Sequence, residues 1–191
     1  MIEGAMKFLI QTLGNLFVIA LLLRFMMQVF RVPFRNPFAQ FIVAITDFAV
    51  KPVRRVVPGL FGLDWACLVL SLLVELLVVI ASYWLDGFPF SLAGARVWPV
   101  MLGLAVVRLL SLTVYLIIGL TLVRAILSWV NSNTPLMPVI YELSEPFLRP
   151  LRRIVPMVAN VDLTPLVLFI VCQLVLMVPV LALERALLGA L

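Results

Sequence analysis

The chain has 191 residues, 65% of them hydrophobic and 12% charged, with a mean hydropathy of +1.24; soluble domains carry about half apolar and a quarter charged residues, so this composition describes an integral membrane protein. A net charge of +5 does not point to nucleic acid, because the basic residues stand in short clusters beside long apolar runs, where anionic phospholipid headgroups are the nearer partner. Histidine is absent, which excludes imidazole bases, the usual haem and zinc ligands and Ser-His nucleophile activation together; no cofactor and no metal are expected.

The first apolar stretch runs from about Phe8 to Phe30, behind Lys7. It is longer than the apolar region of an export signal and no small-residue cleavage pattern follows it, so it is expected to be a mature spanning helix. It carries Arg24. Next comes a connector in which Phe38, Phe41, Ile45 and Phe48 share one helical face, with Gln40 and Asp47 nearly opposite. Pro37 suits the opening of this amphipathic helix, and a stop is expected near Pro52. Its polar face favours an interfacial position over a re-entrant one. The pair Arg54 and Arg55 follows, held between Pro52 and Pro58, with Lys51 just upstream.

A second span, about Leu63 to Leu85, opens on Asp64, a helix-capping candidate that complements the positive helix end. Glu75 lies within it. "DGFPFSLAGARV" from Asp86 to Val97 is the expected join between units 1–95 and 96–191. The third span, about Ala105 to Val130, carries Arg108 and Arg124; apolar character reaches back to Trp98, as one long tilted helix or a separate interfacial piece. The second connector groups Leu136, Ile140, Leu143 and Phe147 against Glu142, Ser144 and Glu145. Pro135 is its expected opener and Pro150 its stop, and Arg149, Arg152 and Arg153 surround that proline. Asp162, the second capping candidate, introduces the fourth span, about Thr164 to Leu183, which holds Gln173 and a kink candidate at Pro179. Cys67 and Cys172 each stand alone in an apolar run and read as packing residues.

A constant spacing matches Pro37 with Pro135, Pro52 with Pro150, Arg54 and Arg55 with Arg152 and Arg153, Pro58 with Pro156, and Asp64 with Asp162. With a small length difference Arg24 matches Arg124, and Asp47 pairs with Glu145 as a like charge. The reading is a tandem duplication: an all-α membrane protein of four transmembrane helices in two repeated hairpins, each with an amphipathic connector helix. Parallel repeats place both connectors on one side of the bilayer. Since the connectors hold most of the arginines, the positive-inside rule puts them in the cytoplasm and both termini outside.

Arg24, Glu75, Arg108 and Arg124 are intramembrane charges, each costing about 2.5–3.5 kcal/mol at mid-helix on insertion scales, and are therefore functional candidates. Depth along the first hairpin suggests an Arg24–Glu75 pair. The matching positions in the second are Arg124 and Gln173, a hydrogen bond without neutralisation, unless Arg124 snorkels or turns to Glu75. Arg108 has no evident acidic partner at its depth. The exposed basic residues Lys51, Arg54, Arg55, Arg149, Arg152 and Arg153 are candidates for binding anionic lipid or a partner through bidentate guanidinium contacts, beside the plainer role of setting topology.

The paired stretches "NPF…TDF…KPVRRVVPGLFGLD" and "NTPL…SEPFLRPLRRIVP…VDLTPLVL" closely resemble the YggT family of small bacterial membrane proteins, related to the YlmG proteins and their plastid relatives, from about Leu21 to Leu176. The resemblance implies two repeats, each a pair of spanning helices, and an inner-membrane location. For function it implies a link to osmotic-shock tolerance with potassium uptake, and in plastid relatives to cytochrome complex biogenesis and nucleoid organisation; it implies no catalytic residue. The family pattern falls on Arg54, Arg55, Pro58, Asp64 and their second-copy equivalents, and departs at Phe48, where a proline is common and where Pro146 stands in the second copy.

The expected function is a non-enzymatic membrane scaffold or assembly factor that docks anionic phospholipid, a membrane-protein partner or a second copy of itself through its basic connectors. The alternative is a subunit of a potassium pathway lined by Glu75, Arg24 and Arg124, which with four helices needs oligomerisation or a partner subunit. No paired carboxylates at consistent depth suggest an enzyme.

Overall fold

The computed structural model describes residues 2–57, 59, 63–90, 94–130, 134–155 and 162–190, so Pro58, Pro156 and the middle of the join lie outside the described residues. Every helix-length run of the sequence becomes a helix: α1 (Ile2–Val29), α2 (Pro37–Arg54), α3 (Trp65–Leu85), α4 (Val97–Val130), α5 (Met137–Arg152), α6 (Thr164–Val175) and α7 (Leu181–Leu188), with a π turn, Leu176–Val180, joining the last two. α1, α3, α4 and the α6–α7 rod are each long and apolar enough to cross a bilayer.

Three spans extend past their apolar runs, and in the third the long-helix reading holds over a separate interfacial piece. α1 begins at Ile2, because no proline stands between Ile2 and Phe8, Gly4 falls in the first turn, and Glu3 there complements the dipole. α4 is one helix of 34 residues from Val97, about 51 Å at 1.5 Å per residue; Pro99 falls in its first turn, where no intrahelical N–H is required. The fourth span runs on to Leu188 and does not simply kink at Pro179. The proline withholds the N–H that would reach Val175, and the backbone widens into the π turn around it.

α1 ends without glycine. Arg31 takes a left-handed φ of 55° and the Val32 amide reaches back to the Met27 carbonyl at 2.8 Å, closing the last turn in the manner of a Schellman motif. α2 is opened by Asn36, whose side-chain oxygen accepts the Phe38 amide at 2.9 Å, and by Pro37. α5 corrects the expected opener: it starts at Met137 with Pro138 in its first turn. Starting at Pro135 would place Pro138 at the fourth position, whose N–H must make the first intrahelical bond. Pro146 and Pro150 both lie inside α5, one turn apart and exposed, so the carbonyls they free face outward along one side. The helices also pass their expected stops, Pro52 and Pro150, by half a turn.

α1 and α3 run antiparallel in close contact. A methyl at Gly14 would run into the Val78 side chain, Gln11 donates to Ser82 Oγ at 3.1 Å, and Lys7 meets Asp86 at the terminal end. α4 packs on both and carries α6 and α7 on its other side. The main core joins the two halves, bringing Val18, Leu22 and Met26 of α1 together with Leu116 and Leu120 of α4 and with Ile42 of α2 and Ile140 and Leu143 of α5. Both connector helices therefore sit at the same end of the bundle. Asn36 Nδ2 donates to the Pro135 carbonyl, and Phe30 meets Phe147 edge-on at 5.8 Å.

The connector helices dock by a different face from the one their periodicity suggests. In α2 the buried residues are Ala39, Ile42, Thr46 and Val50, whereas Phe41 is 59% and Phe48 73% exposed; of the phenylalanine stripe Phe38 packs on the core, while Phe41 faces away from it and Phe48 meets the Phe17 ring at 5.5 Å. In α5, Ile140 and Leu143 are buried as expected, but so is Ser144 from the polar side. The reason is electrostatic and lies in α1 and α4.

Candidate functional site

Arg24, almost fully buried on α1, is about five residues, or 7–8 Å, inside the end of its helix. At that depth a guanidinium needs a partner. α2 folds back along α1 and supplies it: Arg24 donates to Thr46 Oγ1 at 2.8 Å and pairs with Asp47 Oδ1 at 2.9 Å. Asp47 spends its other oxygen on Lys51, one turn along, at 2.9 Å. The Lys51 hydrogen bond, opposed by partial burial and joined by Arg24, holds the Asp47 carboxyl below the usual carboxylate range.

The second half repeats the device. Buried Arg124 of α4 donates to Ser144 Oγ and to Glu145 Oε2, both at 2.9 Å, and its guanidinium lies 4.1 Å above the Tyr141 ring. In each half a spanning-helix arginine thus holds the connector helix by a hydroxyl and a carboxylate adjacent in sequence. Arg24 therefore does not pair with Glu75, and Arg124 bonds neither Gln173 nor Glu75. Depth along one hairpin misidentified the partners because the connector returns to the same depth.

A second contact fixes each elbow where the connector meets the next span. Arg54 donates to Asp64 Oδ2 through Nε at 2.9 Å and through a terminal nitrogen, and the Cys67 thiol donates to the same oxygen at 3.3 Å. Asp64 occupies the N-cap position of α3, yet its side chain caps no amide; the capping expectation gives way because Arg54 and Cys67 occupy the carboxylate. Burial works to raise the Asp64 carboxyl, but these hydrogen bonds and the Arg54 charge outweigh it and hold it low. In the other elbow Asp162 Oδ2 accepts from Arg152 Nε at 3.1 Å and Oδ1 accepts the Thr164 amide, the first of α6, at 2.9 Å. Burial opposes these bonds too, and the carboxyl again ends below the usual range.

Each arginine pair is therefore split. The split is one of partners: Arg54, whose side chain is still 45% exposed, and Arg152 bind aspartates, while the exposed Arg55, Arg149 and Arg153 have no ion-pair partner among the described residues. Beside them stand the large exposed aliphatics Val56, 81% exposed, and Ile154, 79% exposed. Lys51 is mostly exposed and tied to Asp47. A cleft of about 480 Å³ opens between α1 and α2, lined by Arg24, Gln28, Gln40, Asp47 and Arg54.

The remaining candidates lie elsewhere. Glu75 is 1% exposed at the α3 interface, and its Oε2 has no hydrogen-bond partner; Arg108 lies on the neighbouring helix α4 and forms no ion pair with it. Gln173 is exposed on α6, at an open groove shared with Ser111 and Tyr115 of α4. Cys67 and Cys172 are buried packing residues of two separate core clusters. Among the described residues no three Cys, Asp or Glu side chains converge as metal ligands.

Four bilayer-length helices, tied at one end by arginine clamps to two short connector helices, define an all-helical, multi-pass membrane protein. The chain belongs to the CCB3/YggT family, whose model matches residues 4–85 and 103–183, one segment on each hairpin. Among its relatives, an uncharacterised protein of Vibrio alginolyticus encoded in the proC 3′ region is 35% identical, over 89% of this chain and 90% of its own. An uncharacterised protein of Pseudomonas aeruginosa is 33% identical, over 91% and 87%, and YggT of Escherichia coli 31%, over 90% and 87%. No solved structure matches the chain.

Proposed function

We propose that the protein is a non-enzymatic scaffold or assembly factor of the bacterial inner membrane: two tandem hairpins, at 1–95 and 96–191, whose connector ends face the cytoplasm and dock anionic phospholipid or a membrane-protein partner. The observation that carries this reading is the split of the arginine pairs. One guanidinium of each pair is consumed in holding the elbow rigid, and the other is left outward beside an exposed aliphatic residue. A fixed cation next to an apolar side chain suits the boundary between phosphate headgroups and acyl chains, or a partner lying there. The concentration of cations at the connector end supports the cytoplasmic orientation, and the clamps support a scaffold because they make the docking surface rigid.

Arg152 belongs to the elbow, so its removal tests folding; Arg55, Arg149 and Arg153 are the residues that test docking. In native mass spectrometry of protein extracted in mild detergent, the triple change to glutamine is expected to lose retained phosphatidylglycerol and cardiolipin while thermal stability is kept. Undiminished retention together with undiminished binding of co-purified membrane proteins would overturn the reading.

One observation favours the potassium-pathway alternative: the buried Glu75 side chain, whose Oε2 has no hydrogen-bond partner. Arg24 and Arg124 are occupied by the connectors, so Glu75 alone of the three expected lining residues remains for it. Potassium flux in proteoliposomes that Glu75→Gln abolishes would replace the scaffold reading with this one.

A further inference from the structure

The fourth span is the least covered of the four. Only 17% of its apolar window is buried, against 33–39% for the others, and Leu166, Met177 and Val178 on it are each at least 60% exposed. Gln173 lies on this open side, at the position that matches Glu75 in the first hairpin. There the equivalent helix, α3, is sandwiched between α1 and α4, and Glu75 is 1% exposed. α6 packs on α4 and, near its start, on α5, and among the described residues no other spanning helix lies against it. A primary amide is thus presented to the bilayer in mid-span, and acyl chains offer it neither donor nor acceptor. Gln173 lines an open groove of about 500 Å³ between α4 and the α6–α7 rod, with Ser111 and Tyr115 and, toward the end, Glu184. Arg185 follows, exposed, and no ion pair joins either Glu184 or Arg185 to the rest of the described chain.

We infer that a second copy of the chain covers this face, the two related by a two-fold axis along the membrane normal with their α6–α7 rods side by side. A glutamine amide is both donor and acceptor, so one copy satisfies the other across such an axis. The same axis sets the Glu184 of each copy at the depth of the Arg185 of the other, and the two opposite charges complement one another twice. Polar side chains of this kind are what hold spanning helices together, since lipid supplies no hydrophobic drive for their association.

The test uses the full chain in liposomes, as a mixture of copies bearing donor and acceptor fluorophores at the C-terminus. Energy transfer is expected to saturate with protein density and to fall on adding unlabelled chain. Gln173→Leu should weaken association about five-fold. Glu184→Arg should weaken it as well, and the double change Glu184→Arg with Arg185→Glu should restore it, a recovery that misfolding cannot produce. Transfer that rises only in proportion to density, meaning that lipid or a different protein covers the face, would overturn the inference. So would saturable transfer indifferent to both Gln173→Leu and the charge reversal, which would place the contact elsewhere.

Discussion

The two hairpins use the same residue types in the same order, yet their charges are wired differently. In the first, Asp47 reaches Arg24 and Lys51 and goes no further, while Arg54 and Asp64 form a separate pair. In the second, Glu145 has one more methylene and touches both Arg124 at 2.9 Å and Arg152 at 3.3 Å, and Arg152 passes on to Asp162. One continuous chain of charges thus runs from α4 through α5 to the start of α6, where the first hairpin has two islands. Coupling is local in the first half and extended in the second, so the same lesion should spread further in the second.

Removing the carboxylate tests this most severely. Glu145→Ala removes the carboxylate from two arginines at once, leaving Arg124 with only Ser144 and the Tyr141 face and Arg152 with only Asp162, and should cost about 3–5 kcal/mol, the range for breaking a buried ion pair. Asp47→Ala should cost about 2–3 kcal/mol, because Thr46 still bonds Arg24 and Lys51 is solvated. Unfolding titrations in detergent measure the difference, and equal losses would refute the extended coupling. Glu145→Asp should sharpen the point by separating the second half into islands like the first.

Acid attacks the elbows next. The Asp47, Asp64 and Asp162 carboxyls are all held below their unfolded values. Their contribution is therefore fully present above pH ~4 and is lost as pH falls from there through the folded values. Neutral and alkaline conditions should leave the clamps intact. Asp64→Asn should cost about 2 kcal/mol, the worth of hydrogen bonds to a charged group, and should flatten the first elbow's acid transition while the second still melts. Disulfide exchange of Cys67, buried next to Asp64, with 2,2′-dithiodipyridine, a reagent that still attacks thiols in acid, follows that elbow directly; protection that persists through the acid transition would contradict the assignment.

How far the sequence shows all this differs from residue to residue. The spans are legible because hydropathy alone sets them, and Arg24, Asp47, Arg54 and Asp64 all stand in columns that recur as Arg124, Glu145, Arg152 and Asp162. Who bonds whom is not legible from depth within one hairpin. Pairing Arg24 with Glu75 ignores a connector helix that returns to the same level, and the signal available was the like charge at Asp47 and Glu145, each preceded by a hydroxyl residue. That signal also explains the docking face, since Arg24 draws Thr46 inward and leaves Phe41 and Phe48 outside. The left-handed Arg31 and the unused cap at Asp64 depend on backbone paths that no side-chain pattern encodes. The start of α5 was partly readable, because Pro138 is best accommodated in a first turn.

Those hydroxyls give a smaller effect that still separates the hairpins. Thr46→Val and Ser144→Ala each remove one bond from a buried guanidinium, worth about 1.5–3 kcal/mol for a charged partner. The Ser144 loss should fall at the lower end, because the Tyr141 face and Glu145 continue to hold Arg124. Measured in one detergent series, a larger loss at Ser144 than at Thr46 would show that the aromatic contact carries no weight.

The smallest expected effect concerns the outward arginines. Arg55→Gln and Arg153→Gln remove charges that no described group opposes, so each should change stability by no more than about 0.5 kcal/mol, as surface substitutions do. Their neighbours behave otherwise: Arg54→Gln and Arg152→Gln strip the carboxylates of Asp64 and Asp162 and should be clearly destabilising, Arg152 more so because it also serves Glu145. Two adjacent arginines in one short motif would then differ in kind. One is required for the fold, and the other is dispensable to it while remaining available for whatever the connector end binds. If the outward substitutions cost as much as the inward ones, the pairs act as a unit and the surface proposed for docking is part of the scaffold itself.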